Sequence, residues 1–308
     1  MYNDKFNLSN HIKMYSTPSG LDTKKKFIVF LHIQKTGGIS LQRIFRRKLG
    51  RSILGRVMGL LNRQTPPSEV REIMRQKSMK DRYFIGHFCY GIDRDLPKPL
   101  VYMTFLREPV SRIISLYEYS VNNPTAYYHE HAVGKTLEEF ALHTPLFELD
   151  NGQVRFIAGD SNSYFINQTP AGECDESLLD LAIKHIEEDF ALVGLTEYFD
   201  HSVLLLKEIM DWNFSLYLRR NTSKSKEKLN VSPELREKIR EKNNLDVALY
   251  EYAEKRLKQQ LAEYQLDNEK IIADFRERNV IFNRLFGTVY GYYDFMKAFA
   301  RGQIGRPS

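Results

Sequence analysis

Four short, almost unbroken apolar runs punctuate a chain that is otherwise patterned for helices. They are Phe27–Ile33 (FIVFLHI), Tyr83–Phe88, Leu100–Leu106 (LVYMTFL) and Phe190–Leu195 (FALVGL). Runs this short, rich in branched and aromatic residues, read as strands buried on both faces of a parallel sheet. Helical spacing fills the intervals. Leu41, Ile44, Phe45 and Leu49 give Ser40–Leu49 one buried face, with Arg43, Arg46, Arg47 and Lys48 opposite. Ser68 can cap a helix through about Met79, and Pro109 suits the first turn of a helix over Val110–Val121. Thr136 with Glu139 forms a capping box. Asp175–Asp189 and 200–211 read as helices, and 233–286 is dominated by helical patterning with Leu245, Leu249, Tyr252 and Leu257 as buried candidates.

Loops are expected at 50–68, at the His/Tyr-rich stretch 122–135 and at the basic stretch 219–228. Strands alternating with helices predict an α/β class, a central parallel sheet flanked by helices with a helical C-terminal part. The expected organisation is a polar arm at 1–26, one domain at 27–286 and an aromatic, then Gly/Arg-rich tail at 287–308.

Composition narrows this only a little. Of 308 residues, 42% are hydrophobic, which allows a sizeable core. A formal charge of +6 suits an anionic ligand. Nucleic acid is the rival account of that charge, but no zinc-finger spacing, aromatic RNP signature or basic-arm heptad appears, so no nucleic-acid partner is expected. The two cysteines, Cys89 and Cys174, form no disulfide framework and fit a reducing compartment. With no apolar leader and no run near the roughly 18 residues of a membrane span, a soluble cytoplasmic protein is expected.

Chemistry concentrates at two strand ends. After the first strand comes Lys35-Thr36-Gly37-Gly38, then a helix. Glycines let backbone approach an anion, and the first helical amides point at it. Lys35 adds a mobile charge, and the hydroxyls of Thr36 and Ser40 can donate. The lysine precedes the glycines, so this is not a Walker A loop. Taken alone it is also compatible with an ordinary strand-to-helix turn. After the third strand comes Arg107-Glu108-Pro109-Val110-Ser111-Arg112, with Ser115 about two helical turns into the next helix. Arg107 then sits at the carboxyl edge of the sheet, where open α/β sheets bind ligands. An arginine fork and a serine hydroxyl can grip a second phosphate. For Arg107 the alternative is a structural ion pair with Glu108 or Asp95. Arg112 also reads as a solvated or ion-paired helix residue.

These two segments, in this order, resemble the cofactor motifs of the carbohydrate O-sulfotransferases, and are similar to the heparan sulfate 2-O and 6-O branches. His32 to Gly38 resembles their 5′-phosphosulfate loop, and Leu106 to Arg112 with Ser115 resembles their 3′-phosphate motif. Asn151–Gly159, Val193–Asp200, the Asn221 loop and Asn244–Tyr252 look like further family segments, so the resemblance spans roughly 27–260. It implies a P-loop-like sheet and a donor, 3′-phosphoadenosine 5′-phosphosulfate (PAPS), giving 3′-phosphoadenosine 5′-phosphate (PAP), with no metal. It implies that Lys35, Thr36, Gly37, Gly38 and Ser40 hold the phosphosulfate and that Arg107 and Ser115 hold the 3′-phosphate. The family often has Thr where this chain has Ile39, which removes one hydroxyl contact.

The acceptor hydroxyl must lose a proton, a task for a histidine near neutral pH. His87, in Ile85-Gly86-His87-Phe88, is the candidate base, and the Gly-His pair resembles the family's base position. The 2-O branch has another histidine where this chain has Ile85. A structural histidine is the alternative, and His129 and His131 compete; His32, on a buried strand, reads as structural. Lys35 is the natural group to neutralise charge on the leaving oxygen. The sequence thus points to an O-sulfotransferase acting on a carbohydrate hydroxyl. A small natural-product or lipid hydroxyl is the alternative acceptor. Further off stand a nucleotide-dependent kinase or NTPase and a non-catalytic nucleotide-binding protein. The 219–228 loop is left open as a lid over the nucleotide or a solvated segment, and a homo-oligomer is left open too.

Overall fold

The computed structural model describes residues 27–49, 83–91, 100–163, 165–213, 216–218 and 229–300, with isolated positions at 68, 69, 72 and 75, and no side chains beyond 287. The arm at 1–26, the Asp95 alternative for Arg107 and the basic 219–228 loop lie outside the described residues. So does most of the helix expected from Ser68.

The four apolar runs form one parallel sheet. Strands β1 (Phe27–Leu31), β2 (Tyr83–Gly86), β3 (Leu100–Leu106) and β4 (Phe190–Leu195) lie in the order β2-β1-β3-β4. Leu31 pairs with Gly86 on one side and Thr104 on the other, and Leu106 pairs with Leu195. Nearly every strand residue is buried, as expected for a sheet covered on both faces. β1 and β2 end earlier than their apolar runs suggest. The His32 amide still donates to the Gly86 carbonyl at 2.9 Å, but the chain then leaves the sheet.

The order has a consequence for ligands. From β1 the chain crosses to β2 on one side, and β3 is then laid on the other side of β1. The switch point therefore lies between β1 and β3, where open sheets of this kind form their binding crevice. The residues entering that crevice are those after Leu31 and Leu106.

Helices follow the strands: α1 (Gly38–Leu49), α2 (Pro109–Asn122), the short α3 (His129–Ala132), α4 (Leu137–His143), α5 (Gly152–Ala158), α6 (Glu176–Asp189), α7 (Phe199–Ile209), α8 (Pro233–Lys242), α9 (Asn244–Glu263) and α10 (Glu269–Ala300). The capping box at Thr136 and Glu139 forms as expected. The long helical stretch divides into α8, α9 and α10, and α10 runs through position 286 where the tail was expected to begin. The His/Tyr loop contains α3, and α5 occupies a segment with no strong helical periodicity. No helix among the described residues is long and apolar enough to cross a membrane.

Two cores result. The main one is the sheet with α1, α5, α6, α7 and α9. The second joins α2, α3, α4 and α8 through Val110, Ile113, Leu116, Phe140, Leu149 and Ile239.

The N-termini of α5 and α9 are buried and cap each other. The Asp246 carboxylate accepts from the Gln153 and Val154 amides at 3.1 and 2.8 Å. In return the Asn151 side-chain oxygen accepts from the Leu245 and Asp246 amides at 3.0 and 3.2 Å. Asn151 takes a left-handed backbone, φ 52°, which asparagine tolerates better than most residues. Asp246 also lies 3.7 Å from Arg112, with both side chains fully buried. Asp246→Ala would strip two amides of their acceptor and leave Arg112 without its counter-charge. A loss of about 3 kcal/mol or more is expected in urea unfolding; a loss within experimental error would show the caps to be dispensable.

Candidate active site

The loop after β1 is shaped by two residues that need glycine. Gly37 has φ 83°, and a Cβ there would stand 2.9 Å from the Phe199 ring. At Gly38 a Cβ would fall 1.7 Å from the His32 imidazole Nε2. The Gly-Gly pair is therefore required by conformation at one position and by the His32 ring at the other. Lys35 also has a positive φ, 69°. The first turn of α1 carries no acidic residue, which suits an anion at its amides.

Both hydroxyls of the loop have partners within the protein. Thr36 is fully buried, and its hydroxyl donates to the Ile33 carbonyl at 2.8 Å, closing the loop internally. The Ser40 hydroxyl lies 3.5 Å from the Leu218 carbonyl, a long contact, and Ser40 is nearly buried. Ile39, by contrast, stands exposed at the loop.

Arg107 and Lys35 meet at the switch point. The Arg107 Nη1 donates to the Lys35 carbonyl at 3.2 Å. The Gln153 side-chain amide brackets the Arg107 backbone, accepting from its N–H and donating to its carbonyl, both at 2.9 Å. The Arg107 Nε is buried without a hydrogen-bond partner among the described residues. A buried guanidinium N–H left without an acceptor fits an anionic ligand. Burial lowers the Arg107 pKa, against the pull of Glu197, Glu108 and Glu118.

Glu108 is not the partner that the ion-pair alternative required. Its carboxylate caps α2, accepting from Val110 and Ser111 at 3.1 and 2.8 Å. The dipole of α2 is thereby already satisfied, and an anion beside Arg107 must be held by side chains. Ser115 is half-buried on α2. Arg112 is structural: it donates to the Glu148 carbonyl at 2.6 Å and faces Asp246.

Lys35 is half-buried, and its Nζ lies 4.0 Å from the centroid of the Tyr119 ring. Burial, reinforced by Arg107 and opposed by Glu118, lowers its pKa to about 8. The lysine is therefore within reach of neutral pH in both protonation states.

His87 follows β2 and is exposed. Its Nδ1 lies 2.7 Å from the His32 carbonyl. A carbonyl only accepts, so Nδ1 carries the proton and Nε2 carries the ring's lone pair. The His87 ring also stacks on His32, centroids 4.3 Å apart. Burial, then His87 and Lys35, hold the His32 pKa well below the usual imidazole value, so His32 is neutral. His32 is thus structural, as its position suggested, yet it orients the candidate base and packs on Gly38. His129 has a different setting. Its Nδ1 lies 2.8 Å from the Ser120 carbonyl, tying α3 to α2, and His131 lies beside Tyr128. Among the described residues no group of three metal-ligating side chains occurs.

Sequence reasoning did not find Gln153, Tyr119 or the orienting role of His32. Gln153 lay in a segment marked as family-like, but its partner is 46 residues away and no local signal names it.

With this geometry, the comparison with known proteins is specific. A family model described as galactose-3-O-sulfotransferase matches residues 14–286. The chain belongs to the galactose-3-O-sulfotransferase family. Its relatives include galactose-3-O-sulfotransferase 3 of Bos taurus, 30% identical over 174 residues that cover 52% of this chain and 38% of the relative. Human galactose-3-O-sulfotransferase 2 is 27% identical over 173 residues, 55% of this chain and 42% of the relative. Human heparan-sulfate 6-O-sulfotransferase 1 is 26% identical over 290 residues, covering 79% and 68%. The chain spans about two-fifths of the length of the two galactose-3-O relatives. The resemblance to the heparan 6-O branch is borne out, while the galactose branch that supplies the family model was not named from the sequence. Lys35–Ser40, His87, Arg107 and Ser115 all fall inside the stretch that the family model matches.

Within this family member, Gly38→Ala should push the His32 ring aside and His87 with it. A stability loss of about 1–3 kcal/mol is expected from overpacking. His32→Ala in the same chain should recover most of the unfolding midpoint; no recovery would mean that Gly38 is constrained by something else.

Proposed function

We propose that the chain transfers a sulfuryl group from 3′-phosphoadenosine 5′-phosphosulfate to a hydroxyl of a glycan. The observation that carries this is the junction of Lys35 and Arg107 at the β1/β3 switch point, with His87 at the neighbouring strand end. The junction places two cations where one bis-anionic nucleotide can bridge them. The relatives' names, which speak of galactose and heparan sulfate, favour a carbohydrate acceptor.

The roles follow from the groups present. The donor supplies an activated sulfuryl group. Lys35 and the α1 amides bind its 5′ end, and Arg107 with Ser115 binds the 3′-phosphate. Thr36, with its hydroxyl turned inward, contributes backbone rather than side chain, so the hydroxyl contact inferred for it is replaced by loop closure. His87 Nε2 accepts the acceptor's proton as the new S–O bond forms. Lys35 faces the negative charge that develops on the bridging oxygen as the old S–O bond breaks. Arg107, held by Gln153, keeps the nucleotide in register for in-line displacement. Tethering Lys35 through its carbonyl to Arg107 makes the two half-sites move as one.

Labelled donor offered to polysaccharides and to small hydroxylated metabolites tests this. Label should enter polysaccharide, and Lys35→Ala or His87→Ala should each lower the rate by about 100-fold or more with the circular dichroism spectrum unchanged. Wild-type rates in His87→Ala would remove the base assignment. Label entering only small metabolites would transfer the reading to a natural-product or lipid hydroxyl.

A further inference from the structure

The Lys35 ammonium has a neighbour that the roles above do not use. Its Nζ stands 4.0 Å from the centroid of the Tyr119 ring. Tyr119 lies four residues after Ser115 on α2, so both occupy one helix face. The ring is 43% exposed and belongs to neither hydrophobic core. Packing therefore does not account for its position, whereas a cation over an aromatic face is attracted by the ring's quadrupole.

The other charged groups acting on Lys35 oppose each other. Arg107 repels the ammonium and Glu118, adjacent to Tyr119 on α2, attracts it. Arg107 cannot retreat, because Gln153 holds its backbone and its own guanidinium holds the Lys35 carbonyl. The loop backbone of Lys35 is fixed at a positive φ. The only part of Lys35 that can adjust is its side chain, and the ring face is where that side chain rests.

We propose that Tyr119 is a positioning residue that keeps Lys35 an ammonium beside Arg107, so that the donor meets two cations already in place. The inference rests on the donor reading given above. Its consequence has a definite sign. Burial and Arg107 set the Lys35 pKa near 8, so affinity for an anion falls as pH rises past about 8 and the ammonium is lost. The ring stabilises the charged form and opposes that fall. Without the ring, the fall must begin at lower pH.

The test is the pH dependence of the PAP dissociation constant for the full chain, by calorimetry from about pH 6 to about pH 10. Tyr119→Leu should move the alkaline limb down by about half a pH unit, weakening binding about 2-fold at pH 8 and about 3-fold at pH 9 and above. Tyr119→Phe, which keeps the ring and removes the hydroxyl, should restore the wild-type limb. In a Lys35→Ala background, Tyr119→Leu should change nothing further. An unshifted limb in Tyr119→Leu, or an equal loss of affinity in the Lys35→Ala background, overturns the role of Tyr119 while leaving the donor reading intact. Failure of the wild-type chain to bind PAP at any pH overturns both.

Discussion

Two buried helix N-termini cap each other, and the position of the site depends on that exchange. Asp246 of α9 satisfies the amides that open α5, and Asn151 satisfies those that open α9. A helix start buried without acceptors would be costly. Neither helix can shift along its axis without breaking the other's cap. Gln153, the second residue of α5, is thereby fixed, and its amide brackets the Arg107 backbone. Arg107 in turn holds the Lys35 carbonyl. A chain of short contacts runs from the interior of the helical layer to the switch point of the sheet.

That support matters because the site gathers like charges. Lys35 and Arg107 are both half-buried, and burial pulls both pKa values down. Two cations drawn together without a bound anion oppose folding, so the scaffold must be stable enough to hold them. The two helix N-termini at the site are treated differently. Glu108 closes that of α2, whereas the first turn of α1 has no acidic residue. In the proposed site an anion would be drawn by a helix dipole at one half-site and by an arginine at the other. The proposed base, His87, is arranged by the same economy of parts. His32 gives its carbonyl to His87, its ring to the His87 stack, and its bulk to the constraint on Gly38. The Lys35 loop and His87 thus share one residue, and a change in either reaches the other.

Much of this was legible in the sequence. The sheet was, because strands covered on both faces are almost wholly apolar, Thr104 alone in β3 turning a hydroxyl to the Leu31 carbonyl. Lys35, Gly37, Gly38 and Arg107 were, because turns at strand ends concentrate glycine and charge over a few residues. Gln153, Asp246, Asn151 and Tyr119 were not. Their roles depend on partners brought close by topology: Asp246 caps an amide 93 residues away in sequence, and nothing local predicts it. Thr36 shows a second limit. A threonine in such a loop reads as a ligand, and its hydroxyl also closes the loop on the buried Ile33 carbonyl, which no residue type announces. Glu108 shows the same for charge, since a carboxylate beside an arginine went to the helix amides instead.

The central claim is that the Lys35 loop and Arg107 are two ends of one nucleotide site. Calorimetric titration with 3′-phosphoadenosine 5′-phosphate and with its analogue lacking the 3′-phosphate tests it directly, in the wild-type chain and in Arg107→Ala. The account predicts that the wild-type chain prefers the bisphosphate by about tenfold or more, and that Arg107→Ala binds the two alike. Equal affinity for both nucleotides in the wild-type chain would contradict it.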